Sequence, residues 1–381
     1  MKLVVPVKLL PTPEQAVMLT ATLHTSNAAA TELAAHAQSQ KSRSRAALQR
    51  DHYFSVKAAG LSAQPALHVI RKVADAYKTR AANLKAGNYG PSGDRRRERI
   101  ESTPVRFRPD AAQPFDDRCL SWQLDAQTVS IWTVHGRMKN LRYTGSDEQL
   151  KTLAQYREGE TDLVHRGGMW FLYASCEIPV PDPITPQGWM GVDLGVANVA
   201  TTNTGYRAAG RGLRRHRERQ RTLRLKLQAK GTKSAKRVLK RQRWRAADVN
   251  HRISKRIVAE ARRTGHGIGL ETLTGIRDRV RLCKPQRAAL HSWSFAQLAG
   301  FIEYKAFLAG VPVVFVDAAH TSQTCRKCGY VDRKNRPRQS EFCCRSCRFV
   351  EHADVNASHN IAARAAQAWE RGAQSAAPTP S

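Results

Sequence analysis

After residue 185, two strands, a basic helical stretch, a strand ending in a glutamate, a helix, a further strand and a helix opening on an aspartate follow one another. That order predicts an α/β domain of the RNase H-like kind, and two further observations frame it. Two Cys-x-x-Cys pairs, Cys325/Cys328 and Cys344/Cys347, stand fifteen residues apart between the last strand and the last helix, the spacing of a four-thiolate zinc ribbon. Before residue 185, period-two apolar patterning predicts a β-barrel or sheet holding a helical insertion at about 12–100. The predicted domains are therefore 1–184 and 185–373. The second carries a basic helical hairpin at about 207–260 and the ribbon at about 321–350, and 374–381 reads as a disordered tail rich in Ala, Pro and Ser.

Sixty-three Lys and Arg face 31 Asp and Glu, a net charge of +32. Such an excess predicts a polyanionic partner, because each phosphate neutralised releases counterions. A ribosomal-type basic protein or a ligand of anionic membrane surfaces are the competing readings. No apolar run approaches the roughly 18 residues of a membrane span. The start, broken by Pro6 and Lys8, lacks a signal-peptide pattern. With half of the eight cysteines in knuckles, a reducing, cytoplasmic setting is expected.

Val4 to Leu10 alternates as a strand and ends at Pro11-Thr-Pro-Glu-Gln15, where Thr12 is the expected N-cap and Pro13 the first helical residue. Ala16, Leu19, Leu23, Ala30 and Leu33 share one face of that helix. A second helix covers about 44–59. A third has Ala66, Ile70, Val73, Tyr77, Ala81 and Leu84 at helical spacing. Gly87 to Thr103, with Arg95-Arg96-Arg97 inside it, reads as a loop. Strands are predicted over 119–124, 128–134, 137–143 and 170–178, and Pro179 to Pro183 as a linker.

Beyond the linker, Gly188 to Gly195 and Asn198 to Thr202 read as paired strands, with Met190, Val192 and Leu194 on one face and Gly191, Asp193 and Gly195 on the other. An unpaired buried carboxylate is costly, so Asp193 is expected at a metal site or against a base. The flanking glycines favour the metal site by leaving room for a substrate backbone. Arg207 to Arg245 holds seventeen Lys or Arg and one acid, Glu218. This density points to nucleic-acid contact through Arg214, Arg215, Arg217, Arg221, Arg224, Lys236, Arg237, Lys240 and Arg241, against the plainer reading of a solvated hairpin. Glu271 ends the next strand, and a polar, mobile-looking stretch follows over 274–291. A helix from Trp293 to Leu308 and a buried strand ending at Asp317 come next, and Asp354 opens a last helix reaching about Trp369.

A closed four-cysteine zinc site is structural, so chemistry is expected at the acids. Three clustered carboxylates repel unless divalent cations neutralise them. Mg²⁺ suits an all-oxygen site, and two such ions suit phosphodiester hydrolysis. Surface or salt-bridged acids are the alternative. His320 and His352, which flank the ribbon, are expected to be polar surface residues or phosphate contacts, His251 a helix-packing residue and Asp317 structural.

Gly191-Val-Asp-Leu-Gly-Val196, Gly269-Leu-Glu-Thr-Leu273, Thr321-Ser-Gln-Thr-Cys-Arg-Lys-Cys-Gly329 and Asp354-Val-Asn-Ala-Ser358 resemble the RuvC-type motifs and zinc ribbon of TnpB (OrfB) proteins of insertion sequences, relatives of the type V CRISPR effectors. His251-Arg-Ile-Ser254, Trp293-Ser-Phe295 and Tyr304-Lys-Ala306 also fit that pattern. The resemblance is strong after residue 187 and diffuse before it. It implies that Asp193, Glu271 and Asp354 are catalytic Mg²⁺ ligands and that the four cysteines hold zinc. It further implies an RNA-guided DNA endonuclease with a guide RNA and double-stranded target DNA as partners, associated with transposon maintenance in a prokaryotic nucleoid. In that family the N-terminal wedge-type barrel and its insertion handle RNA scaffold, flanking motif and heteroduplex. A transposase, or a guide-dependent regulator that binds without cutting, is the alternative. Arg348 departs from the pattern, standing where a glycine often follows the second knuckle.

Overall fold

A computed structural model of the chain describes residues 1–195, 197–231, 234–272, 295–373 and 375. The side chains of 235–237 and 240–243 are outside the described set. So are the expected polar stretch 274–291 and nearly all of the expected tail. The chain divides into two compact units, Met1–Pro179 and Val180–Ser381.

The first unit is built on a seven-stranded antiparallel, barrel-like sheet in the order β2-β6-β7-β1-β5-β4-β3. Its strands are β1 (Lys2–Leu9), β2 (Gln113–Phe115), β3 (Leu120–Gln123), β4 (Thr128–Thr133), β5 (Gly136–Thr144), β6 (Arg157–Arg166) and β7 (Met169–Glu177). β1 is central and pairs along its whole length with β7, so Val5, Val7 and Leu9 are buried with Leu172, Ala174 and Cys176 in one core.

Helices α1 (Pro13–Ser39), α2 (Arg45–Ala58) and α3 (Ala63–Lys85) are inserted between β1 and β2 and share a second core. A capping box starts α1 where the sequence pattern puts it: Gln15 N donates to Thr12 Oγ1 and Thr12 N to Gln15 Oε1. The expected loop at 87–103 needs correction, because Arg95–Ser102 forms a helix, α4. Asp94 caps it through the amides of Arg96 and Arg97. At its other end, the buried Arg80 donates to the carbonyls of Ile100 and Thr103. Arginine is itself a good helix former, so the run that looked like a loop propagates once both ends are satisfied. Also missed were α5 (Asp147–Tyr156), opened by a Ser146–Gln149 capping box, and β6. In β6 only Thr161 and Leu163 are buried, too sparse an alternation to read.

The second unit centres on a five-stranded sheet in the order β10-β9-β8-β11-β12. The strands are β8 (Gly188–Asp193), β9 (Asn198–Thr202), β10 (Arg207–Ala209), β11 (His266–Glu271) and β12 (Val313–Val316). β8 runs antiparallel to β9 and parallel to β11, which is parallel to β12. A first strand in the middle, flanked by its own hairpin and then by two parallel strands, is the RNase H-like arrangement. Helices α6 (Arg211–Ala229) and α7 (Ser234–Thr264) connect β10 to β11, and α8 (Phe295–Leu308) precedes β12. Met190, Val192 and Ile268 pack on one face with Ile257 of α7 and Leu298 and Ile302 of α8.

The last helix, α9 (Ala353–Glu370), crosses β8, β11 and β12 on the opposite face, where Val314, Val316, Ile361 and Ala365 pack together. Here the expectation about the glycines is overturned. A Cβ on Gly191 would overlap the Ser358 carbonyl and lie 2.5 Å from Ala362 N, and one on Gly269 would lie 2.8 Å from Ala365 Cβ. The missing side chain on Gly191 admits the backbone of α9, not a substrate. Among the described residues no helix is long and apolar enough to cross a membrane.

Candidate active site and zinc ribbon

Leu270 is in register with Val192 across the parallel β8–β11 pair, so the next residues, Glu271 and Asp193, end neighbouring strands side by side. Asp354 is the second residue of α9, which starts over the same edge. Three acids far apart in sequence are thus drawn together because the central strand, its parallel neighbour and the covering helix all terminate there.

Their electrostatics report this proximity. Burial, then the charges of Glu271 and Asp354, push the Asp193 carboxyl up to about 8, with Arg336 pulling the other way. Burial also raises Glu271, while the Thr321 hydroxyl and Arg364 lower it. Thr321 Oγ1 donates to Glu271 Oε1 at 2.5 Å. Asn198 Nδ2 donates to Asp354 Oδ2 at 2.9 Å, and Arg336 Nη2 reaches Asp354 Oδ1 at 3.2 Å. The three side chains offer oxygen donors only, the ligand type that a hard divalent cation such as Mg²⁺ takes, but they are not gathered within 4.8 Å of one another as the four thiols are. Asn198, Thr321 and Arg336 went unremarked in the sequence, since each meets its acid only through folding.

The thiols form a tighter group. All four Sγ atoms lie within 4.8 Å of one another, the one metal-capable cluster of that kind among the described residues. Cys325 and Cys347 are 3.7 Å apart and Cys328 and Cys344 3.6 Å. Zn–S bonds of about 2.3 Å in a tetrahedron give edges near 3.8 Å, so the four cysteines fit zinc. Cys343 lies instead on β13 (Glu341–Cys343), opposite Val350 of β14 (Val350–His352), and is not one of the four clustered thiols. Gly329 has φ 76° and Arg348 φ 59°, so both knuckles turn through the left-handed region and Arg348 performs the turn without glycine's freedom.

The ribbon is tied to α9 by buried amides. Asn356 Oδ1 accepts from Arg326 N, its Nδ2 donates to the Thr324 carbonyl, and Asn360 Nδ2 donates to the carbonyls of Thr321 and Thr324. Asn335 bridges the knuckles, donating to Gln323 and Tyr330 carbonyls and accepting from Arg345 N. Polar residues at i and i+4 on an otherwise apolar helix face were the available signal for Asn356 and Asn360. His352, half-buried, caps α9: its Nδ1 accepts from Asp354 N. Asp317 caps a turn through Ala319 N.

On the basic hairpin, Arg214, Arg215 and Arg221 are exposed and Arg224 is half-buried. Arg217 departs from the expected surface set. It is buried, and burial lowers its pKa. The side chains of Lys236, Arg237, Lys240 and Arg241 lie outside the described residues.

Residues 295–361 match the family model described as the Cas12f1-like TNB domain. A relative named CRISPR-associated endodeoxyribonuclease Cas12f1, from Sulfoacidibacillus thermotolerans, is 31% identical over 232 residues, covering 55% of this chain and 54% of the relative. A TnpB-like protein of Methanocaldococcus jannaschii is 36% identical over 122 residues, 32% of this chain and 43% of that one. The Escherichia coli K12 protein InsQ, provisionally named an RNA-guided DNA endonuclease, is 25% identical over 216 residues, 51% of this chain and 54% of the relative. The chain spans about half the length of the curated relatives it matches. Over part of its length, and with its four-thiol ribbon, the chain is thus similar to TnpB-like proteins and to Cas12f1 endodeoxyribonucleases.

Proposed function

We propose that this chain is an RNA-guided DNA endonuclease of the TnpB type, which hydrolyses phosphodiester bonds at Asp193, Glu271 and Asp354. The observation that carries this reading is the convergence of the three acids at one end of the β8–β11 pair under α9. The three carboxylates would hold Mg²⁺, which when bound activates water and stabilises the leaving oxygen. Thr321 orients Glu271, and Asn198 and Arg336 orient Asp354, so these two acids present lone pairs in a fixed direction before substrate arrives. The cysteines would hold a structural zinc that keeps the ribbon folded.

The partners in this reading are a guide RNA and double-stranded target DNA in the prokaryotic cytoplasm, at the nucleoid. Base pairing then carries sequence choice while the chain supplies charge. Half of the protein's excess of +32 falls on Arg207 to Arg245, which suits backbone contact without sequence reading. The first unit, as a wedge-type barrel with its helical insertion, would hold the RNA scaffold and the target flank.

Full-length protein purified with its copurifying RNA should cut a plasmid carrying the matching target in Mg²⁺. Asp193→Ala should bring cutting to background while nucleic-acid binding persists. Undiminished cutting by that variant would remove these acids from the reaction, and joined rather than cut ends would favour a transposase.

A further inference from the structure

Glu271 is oriented by Thr321, and Asp354 by Asn198 and Arg336. The Asp193 carboxylate accepts no hydrogen bond among the described residues, although its backbone pairs in the sheet. Its cross-strand partner on β9 is Thr201, and directly opposed residues of an antiparallel pair project to the same face with Cβ atoms about 5 Å apart. Thr201 is completely buried, and its Oγ1 has no hydrogen-bond partner. The next residue shows that this is not a general property of the strand: Thr202, equally buried, pairs its Oγ1 with Thr204 Oγ1 and accepts from Tyr206 N. The orphaned hydroxyl is the one on the face that carries the acid.

Buried hydroxyls without a partner are uncommon and ask for an explanation; Ser26 and Thr161 are the others among the described residues, and Thr201 alone of the three stands opposite one of the acids. We infer that Thr201 is a positioning residue for Asp193: its hydroxyl donates to the Asp193 carboxylate when that carboxylate turns to hold a divalent cation. A hydroxyl so placed fixes the carboxylate rotamer, as outer partners do for metal ligands generally. The inference rests on the acidic site proposed above and goes beyond it by naming a group that touches neither metal nor substrate.

The test measures Mn²⁺ binding to the full-length protein by electron paramagnetic resonance, comparing wild type with Thr201→Val, Thr201→Ser and Asp193→Ala. Thr201→Val should weaken Mn²⁺ binding by about tenfold or more, within the range usual for lost outer partners. Thr201→Ser, which keeps the hydroxyl, should bind like wild type. Without divalent cation Thr201→Val should melt no lower than wild type, since it replaces an unpartnered hydroxyl with a methyl of the same shape. The inference is overturned if the valine variant binds Mn²⁺ as wild type does, or if serine fails as valine does, which would make packing the cause. Wild type and Asp193→Ala binding equally poorly would overturn the acidic site itself, and this inference with it. That result is distinct from a deficient Asp193→Ala beside an unaffected Thr201→Val.

Discussion

Arg348 holds φ at 59° on an exposed turn, a conformation that costs a side-chain-bearing residue roughly 1–2 kcal/mol. Glycine would remove that strain and lose part of the gain to its greater freedom when unfolded, about 0.5–1 kcal/mol. Arg348→Gly should therefore stabilise the zinc-loaded ribbon by about 0.5–1 kcal/mol. It should be seen as slower zinc loss to a chelator; faster loss would mean that Arg348 contributes a contact worth more than the strain. At this scale the cysteines were legible because two knuckles at ribbon spacing have few other uses. Asp193 and Glu271 were legible because an acid on an apolar strand is out of place. Asn198, Thr321 and Arg336 were not, because a polar residue at a strand start, in a loop or in the ribbon carries no mark of the distant side chain that it will meet. Arg217 was misjudged for the converse reason: in a run of arginines nothing but packing distinguishes the buried one.

At the scale of elements, β8 and α9 are joined more closely than side chains permit. The Gly191 contact is with α9 backbone, and backbone cannot turn aside as a rotamer would. Gly191→Ala should destabilise the protein by about 3 kcal/mol, at the upper end of overpacking costs, visible as a lowered thermal midpoint. An unchanged midpoint would mean that α9 can slide on the sheet. Helix starts marked by Thr12 and Ser146 show how far local chemistry reaches. Both form capping boxes, yet only the first was read, because a proline and a long apolar face accompanied it. α4 was hidden for a tertiary reason: its last carbonyls are satisfied by Arg80, which comes from another helix. Strand β6 was hidden by its own charges.

At the scale of the second unit, the ribbon and the acids form one mechanical chain. The four cysteines that fit zinc draw the knuckles together, Asn356 and Asn360 hold the first knuckle to α9, and α9 carries Asp354. Thr321, on the segment leading into the ribbon, holds Glu271. Treatment with a chelator selective for zinc over magnesium should abolish cutting even with Mg²⁺ in excess. Added zinc should restore it, whereas binding of nucleic acid by the basic hairpin should persist. Full cutting by zinc-free protein would show that the acids hold their places without the ribbon. The RNase H-like order was legible as a whole because strand, acid and helix alternate in a sequence that few arrangements accommodate. The antiparallel first unit offered no comparable landmark.

The position of Asp354 near the start of the last helix has a consequence for synthesis. As the chain leaves the ribosome, the basic hairpin emerges long before the final acid, and the covering helix cannot dock until the ribbon has been made. Under the function proposed above, a nascent product would therefore meet RNA before Asp354 joins Asp193 and Glu271, and the acidic site would be assembled only after the ribbon has been made.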